Sequence, residues 1–134
     1  MCLNNLHIYL RFRKNKALIR LRWQRLLGKV VMRIFGFEVI EVSGNSMLPT
    51  FAPGDRVLIK YRTSDLQPIH TGEVVVIERE GETMLKRIVR YEIGGHTGQG
   101  MVTVEGDNKE ESIDSRQWGA IPSRFVKARV IRKI

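Results

Sequence analysis

The chain has 134 residues, 43% apolar and 28% charged, enough for one domain with a real core and ordinary for a folded protein. A single cysteine, Cys2, excludes an internal disulfide. His7, His70 and His96 stand far apart with no partner at metal-ligand spacing, so neither a metal site nor a cofactor is expected. The net charge of +9 is uneven: nine basic residues from Arg11 to Arg33 are balanced only by Glu38 within residues 1–40, and the rest of the chain is close to neutral.

Residues 1–36 read as a basic helical arm. Ile19, Trp23, Leu26, Leu27, Val30 and Ile34 recur at helical spacing and share one face, flanked by Arg22, Arg25, Lys29 and Arg33. Basic stems beside an apolar face that holds a Trp suit an amphipathic helix lying in a membrane interface, where anionic headgroups add attraction. Two other readings stay open: a helix that packs its stripe on the domain, and a basic arm for nucleic acid, which is not the expected partner. The best apolar window, Leu26–Val42, is broken by Lys29, Arg33, Glu38 and Glu41, so neither a spanning helix nor a removable signal is expected. Membrane association is expected to be peripheral, through residues 1–35, and the side of the membrane is left open.

Residues 37–134 read as a second unit, mainly β. Short runs rich in Val and Ile predict strands at Phe37–Val42, Arg56–Lys60, Glu73–Arg79, Thr83–Glu92, Met101–Glu105 and Val126–Arg132. Turn clusters bound them, and Glu80-Gly81-Glu82 predicts a hairpin that pairs Val74–Arg79 with Thr83–Arg90. The expected architecture is a small antiparallel barrel or folded sheet.

Between the first two strands lies Ser43-Gly44-Asn45-Ser46-Met47-Leu48-Pro49-Thr50. Gly44 and Asn45 permit a tight backbone, Pro49 stiffens the turn beyond Leu48, and Ser46 is presented between them. A hydroxyl on such a turn is either a nucleophile held still or a polar β-turn residue. The distinction needs a base. Lys86 lies in the apolar run Met84-Leu85-Lys86-Arg87-Ile88-Val89, where strand alternation sends it and Arg87 to opposite faces, one inward and one solvated. A buried lysine loses its proton more readily because desolvation disfavours the ammonium. Further on, Val104–Gly119 begins as a strand and becomes a polar loop with few glycines, which side-chain hydrogen bonds must hold. Asp114 and Arg116 suit a fork-shaped ion pair that would fix it and aim Ser112 at a neighbour.

Ser46-Met47-x-Pro49-Thr50, Lys86-Arg87 and Gly106-Asp107-Asn108-x-x-x-Ser112-x-Asp114-Ser115-Arg116-x-x-Gly119 together resemble the type I signal peptidase family of Ser–Lys proteases, from Val39 to about Ile131. The resemblance implies a serine endopeptidase in which Ser46 is the nucleophile and Lys86 the general base. Ser112 would orient the lysine, Asp114 and Arg116 would form the structural ion pair, and the Ser46 N–H would serve the oxyanion hole. Bacterial leader peptidases of this family carry a serine two positions before the nucleophile as a second oxyanion donor, and here that position is Gly44. Met47 would lie near substrate or membrane, or else in the core. The implied partner is a precursor protein with an N-terminal leader. The reduced Gly94–Gly100 segment makes this a stripped core, similar to maturation proteases of nickel-type superoxide dismutase and to mitochondrial inner-membrane protease subunits. The alternatives are a LexA-like self-cleaving regulator, which the Gly106–Gly119 motif disfavours, and a non-catalytic basic membrane- or nucleic-acid-binding module.

Overall fold

Glu80 and Gly81 both have positive φ, 54° and 82°, the two-residue turn whose twist matches its flanking strands. It joins β3 (Val74–Arg79) to β4 (Glu82–Ile93), placing Arg79 opposite Glu82 and Val75 opposite Lys86. The hairpin read from the sequence is therefore present, but Glu82, expected in the turn, is the first residue of β4 and pairs with Arg79, because the turn takes two residues rather than three. The computed structural model describes residues 35–95 and 98–134. The basic arm, its expected helix and His96 lie outside the described residues.

Around the hairpin the chain adds β1 (Phe37–Glu41), β2 (Arg56–Tyr61), β5 (Gly100–Glu105), a short helix α1 (Ser115–Trp118), β6 (Ile121–Pro122) and β7 (Val126–Lys133). The strands form one curled sheet in the order β1-β2-β7-β3-β4-β5-β6, and every pairing is antiparallel. Bulges at Leu58/Ile59, Val76/Ile77 and Ile88/Arg90 bend it. All six predicted strands are present to within a residue or two. β6 and α1 were not foreseen, because two and four residues are too few to show a hydrophobic period.

Apolar residues fill both sides of the sheet. Val74 and Val76 join Val57, Ile59 and Ala128 in one cluster, while Val75 and Ile77 join Ile88, Val102 and Val104 in the other. Being buried on both faces is why β3 reads as an unbroken apolar run rather than an alternating one. Each such side chain contributes roughly 1.5–3 kcal/mol by leaving water.

Among the described residues two free strand edges border one groove, apart from the outer side of β6 at the other end of the sheet. β1 has no neighbour on its outer side, and β4 meets β5 only from Arg87 onward, so Glu82–Lys86 has one free edge. A groove of about 450 Å³ runs between Ile40–Ser43 and Thr83–Leu85, with Ser46, Met47 and Val76 also lining it. No helix of the described residues is long and apolar enough to cross a membrane.

Candidate active site

The turn that carries Ser46 is anchored at both ends. Val42 N–H donates to Asp55 O at 2.8 Å and Gly54 N–H to Val42 O at 2.9 Å, closing the base of the loop. Gly44 has φ +75°, which a side chain at that position would strain. Leu48 N–H donates to Asn45 O at 3.1 Å and Phe51 N–H to Met47 O at 2.9 Å, and the Leu48–Pro49 peptide is cis. Met47 is 1% exposed and packs in the first apolar cluster, so it is a core anchor that also forms a wall of the groove. Ser46 is half-buried beside it, and among the described residues no protein group takes up its hydroxyl or its N–H.

Lys86 is turned inward, as the alternation of β4 requires, and is 3% exposed. Its Nζ donates to Ser112 Oγ at 2.9 Å, and among the described residues no carboxylate pairs with it directly. Burial pushes its pKa down; the charge of Asp114 pulls it back up, and Arg116 lowers it again. Arg87 points the other way but is not simply solvated, as strand alternation alone would suggest. Its guanidinium grips Asp107 through two bonds, Nε to Oδ1 at 2.8 Å and Nη2 to Oδ2 at 2.7 Å, and also donates to Gly72 O at 2.8 Å.

The loop after β5 is organised by one carboxylate. Asp114, 0% exposed, accepts from Gly106 N–H, Ser112 Oγ, Arg116 N–H, Arg116 Nε and Arg116 Nη2, all between 2.6 and 3.1 Å. Burial alone would raise its pKa, but the Arg116 fork, the Ser112 hydroxyl and the two main-chain donors overcome that and hold it well below the usual carboxylate range. Asp114 is also the N-cap of α1, in a capping box with Gln117, whose side chain accepts the Asp114 N–H at 2.8 Å. Ser115 Oγ accepts Val104 N–H at 2.9 Å, and Trp118 stacks on Arg79, which tie α1 to the sheet. Arg116 cancels much of the Asp114 charge next to Lys86, and so removes the main reason for the lysine to keep its proton.

Gly106 brings turn and loop together. A Cβ at this position would sit 2.2 Å from Ser112 Oγ and 2.5 Å from Ser46 O, so only glycine lets the two chains approach this closely. Ser46 O also accepts Asn108 N–H at 2.9 Å. The structure thus gathers Lys86, Ser112, Asp114 and Arg116 into one hydrogen-bonded relay, with the main chain of Ser46 packed against it. His70 lines a separate cavity of about 170 Å³ between β2, β7 and the loop before β3. Thr50, Gly106, Asp107 and Asn108 stand within the sequence motifs, yet the sequence alone assigned them no role. The signal was their adjacency to the assigned residues, and the capping pattern Asp114-x-x-Gln117 marked α1.

A family model described as Peptidase S24-like matches residues 36–98, a span that contains Ser46 and Lys86 and stops before the Asp114 loop. The chain is similar to mitochondrial inner membrane protease subunit 2 of Schizosaccharomyces pombe, 32% identical over 141 aligned residues, covering 90% of this chain and 75% of that protein. It is similar to mitochondrial inner membrane protease subunit 1 of Xenopus tropicalis, 28% identical over 114 residues, with 72% and 68% covered. A probable signal peptidase I-1 of a Synechocystis species is 24% identical over 144 aligned residues, with 75% and 72% covered.

Proposed function

We propose that this chain, which belongs to the type I signal peptidase-like family of proteases, is a serine endopeptidase that removes a leader from a precursor protein with a Ser46–Lys86 dyad. The chain is a peptidase of a group that acts on leader sequences; the dyad and the identity of the substrate are the proposal. The observation that carries it is Lys86, a buried amine whose bonded partner is a serine hydroxyl rather than a carboxylate. A lysine buried without a carboxylate partner is costly to keep charged, which supports its use as a base.

In the step proposed, Ser46 Oγ adds to the scissile carbonyl carbon while Lys86 Nζ takes its proton. The carbonyl oxygen becomes an oxyanion stabilised by the Ser46 N–H. The C–N bond then breaks, Lys86 returns the proton to the leaving amine, and an acyl ester remains on Ser46. Water, deprotonated by Lys86, hydrolyses that ester and regenerates the serine. Ser112 orients the lysine, and Asp114 with Arg116 holds Ser112. The substrate lies extended between the two free strand edges, using their unpaired main-chain groups. Met47, Leu85 and the neighbouring apolar residues of the groove contact its side chains. The names of the mitochondrial relatives place them at an inner membrane, and we infer peripheral membrane association of this chain through the basic residues 1–35. The specific precursor we put forward is that of a nickel-type superoxide dismutase.

The test is the pH dependence of cleavage of that precursor. The rate rises with pH to a plateau, with a midpoint well below the ordinary lysine value of about 10.4. Arg116→Gln leaves the Asp114 charge uncompensated beside Lys86, so the midpoint moves up. Replacing His70 leaves it in place. A midpoint that follows His70 and ignores Arg116 would overturn the dyad.

A further inference from the structure

The two peptide units that flank Ser46 are both held by one residue of the opposing loop. Asn108 donates its main-chain N–H to Ser46 O at 2.9 Å and its side-chain Nδ2 to Asn45 O at 3.1 Å. The loop is in turn held to the turn: Asn45 Nδ2 donates to Glu111 Oε2 at 2.8 Å, Glu111 N–H donates to Asn108 O, and Thr50 Oγ1 donates to Asp107, which Arg87 grips. A peptide unit is planar and trans, so its C=O and N–H point in opposite directions. Fixing Asn45 O therefore fixes the direction of the Ser46 N–H on the far side of the same plane. Fixing Ser46 O fixes the next plane, and two fixed planes determine where the Ser46 side chain leaves the backbone. The Ser46 N–H itself donates to no protein group among the described residues and stands free for a ligand oxygen. Gly44 offers no side-chain donor, so the aim of this one N–H matters all the more.

We propose that Asn108 is a positioning residue for the oxyanion hole: its side-chain amide, pulling on Asn45 O from across the loop, keeps the Ser46 N–H directed at the oxygen that becomes negative during acylation. The proposal rests on Ser46 being the nucleophile. Leu48 N–H also bonds Asn45 O, from within the turn. Losing Asn108 therefore loosens the plane rather than freeing it. Asn108→Asp should act more strongly than Asn108→Ala, because its carboxylate repels the Asn45 carbonyl that the amide attracted.

The experiment uses the full chain and a small activated ester, p-nitrophenyl acetate, which needs no substrate identity. The rate of acetylation is followed by p-nitrophenol release and the acetyl group is located by peptide mass. Removing an oxyanion donor outright costs about 10²–10³ in rate, so a misaimed donor in Asn108→Ala is expected to slow acylation about 10–100-fold, with Asn108→Asp slower still. The ester concentration at half-saturation and the pH midpoint should stay put, because Lys86, Ser112 and Asp114 keep their contacts. If the alanine variant is unstable, Asn108→Asp keeps the side-chain shape and carries the test. Acylation at the wild-type rate in both variants overturns the inference, as does a rate loss that comes with a shifted pH midpoint or matches a loss of folded protein. A wild-type chain that takes no acetyl group at Ser46 fails the nucleophile assignment itself; acetylation indifferent to Asn108 fails this inference alone.

Discussion

Ser46→Ala and Lys86→Met each reduce precursor cleavage by at least about 10³-fold, the scale on which activated nucleophiles and their bases act, while the fold survives. The two variants differ in stability. Among the described residues Ser46 has no side-chain hydrogen bond to lose, so its removal leaves melting unchanged. Lys86 is an amine held at 3% exposure, where burial lowers its pKa. In the window between its lowered folded pKa and the unfolded value of about 10.4, the unfolded chain binds a proton that the folded chain does not. Stability of the native protein therefore rises with pH across that window, by as much as about 1.4 kcal/mol per pH unit. Lys86→Met loses this slope and melts at or above the wild-type temperature at neutral pH. Thermal melts from pH 6 to 10 check it; an unchanged slope in Lys86→Met would mean that Lys86 is protonated in the fold.

Asp114→Ala has the opposite profile, because it is costly to the fold. It strips one carboxylate from five donors and removes the N-cap of α1. Removing one partner of a buried pair leaves the others unsatisfied, and the expected loss is about 3–5 kcal/mol. Activity falls with it, because Ser112 is no longer held for Lys86. The pH sign comes from the depressed pKa of Asp114. Its contribution is complete above the unfolded carboxylate value of about 3.9 and is lost as pH falls below it. The variant should therefore show a flatter acid limb as well as a lower plateau. Denaturant unfolding at pH 7 and pH 3 measures both, and a loss under about 1 kcal/mol at pH 7 would mean that the loop is held by other contacts.

Much of the fold was legible in the sequence, and so was the placement of several side chains around Lys86. The β3–β4 hairpin was readable from Glu80-Gly81-Glu82 between two Val- and Ile-rich runs, and the apolar run around Lys86 marked that lysine as a candidate for burial. The Asp114–Arg116 fork was readable from the need to brace a long polar loop. Other features were illegible for physical reasons. α1 and β6 are too short to carry a period. Arg87 looked like a solvated neighbour because its partner Asp107 lies twenty residues away, and only folding brings the two together. The approach of Gly106 to Ser46 O is likewise a long-range contact. Met47 could not be divided between the core and a place near substrate or membrane, since a residue in the wall of a groove is packed on one side and open on the other.

The proposed chemistry requires Lys86 to be a neutral base in the folded protein. A ¹⁵N–¹³C NMR titration of its ε-amine in the intact chain tests it without any substrate. The expected result is a midpoint well below about 10.4 that rises in Arg116→Gln; a Lys86 amine that stays charged up to the ordinary lysine value would contradict it.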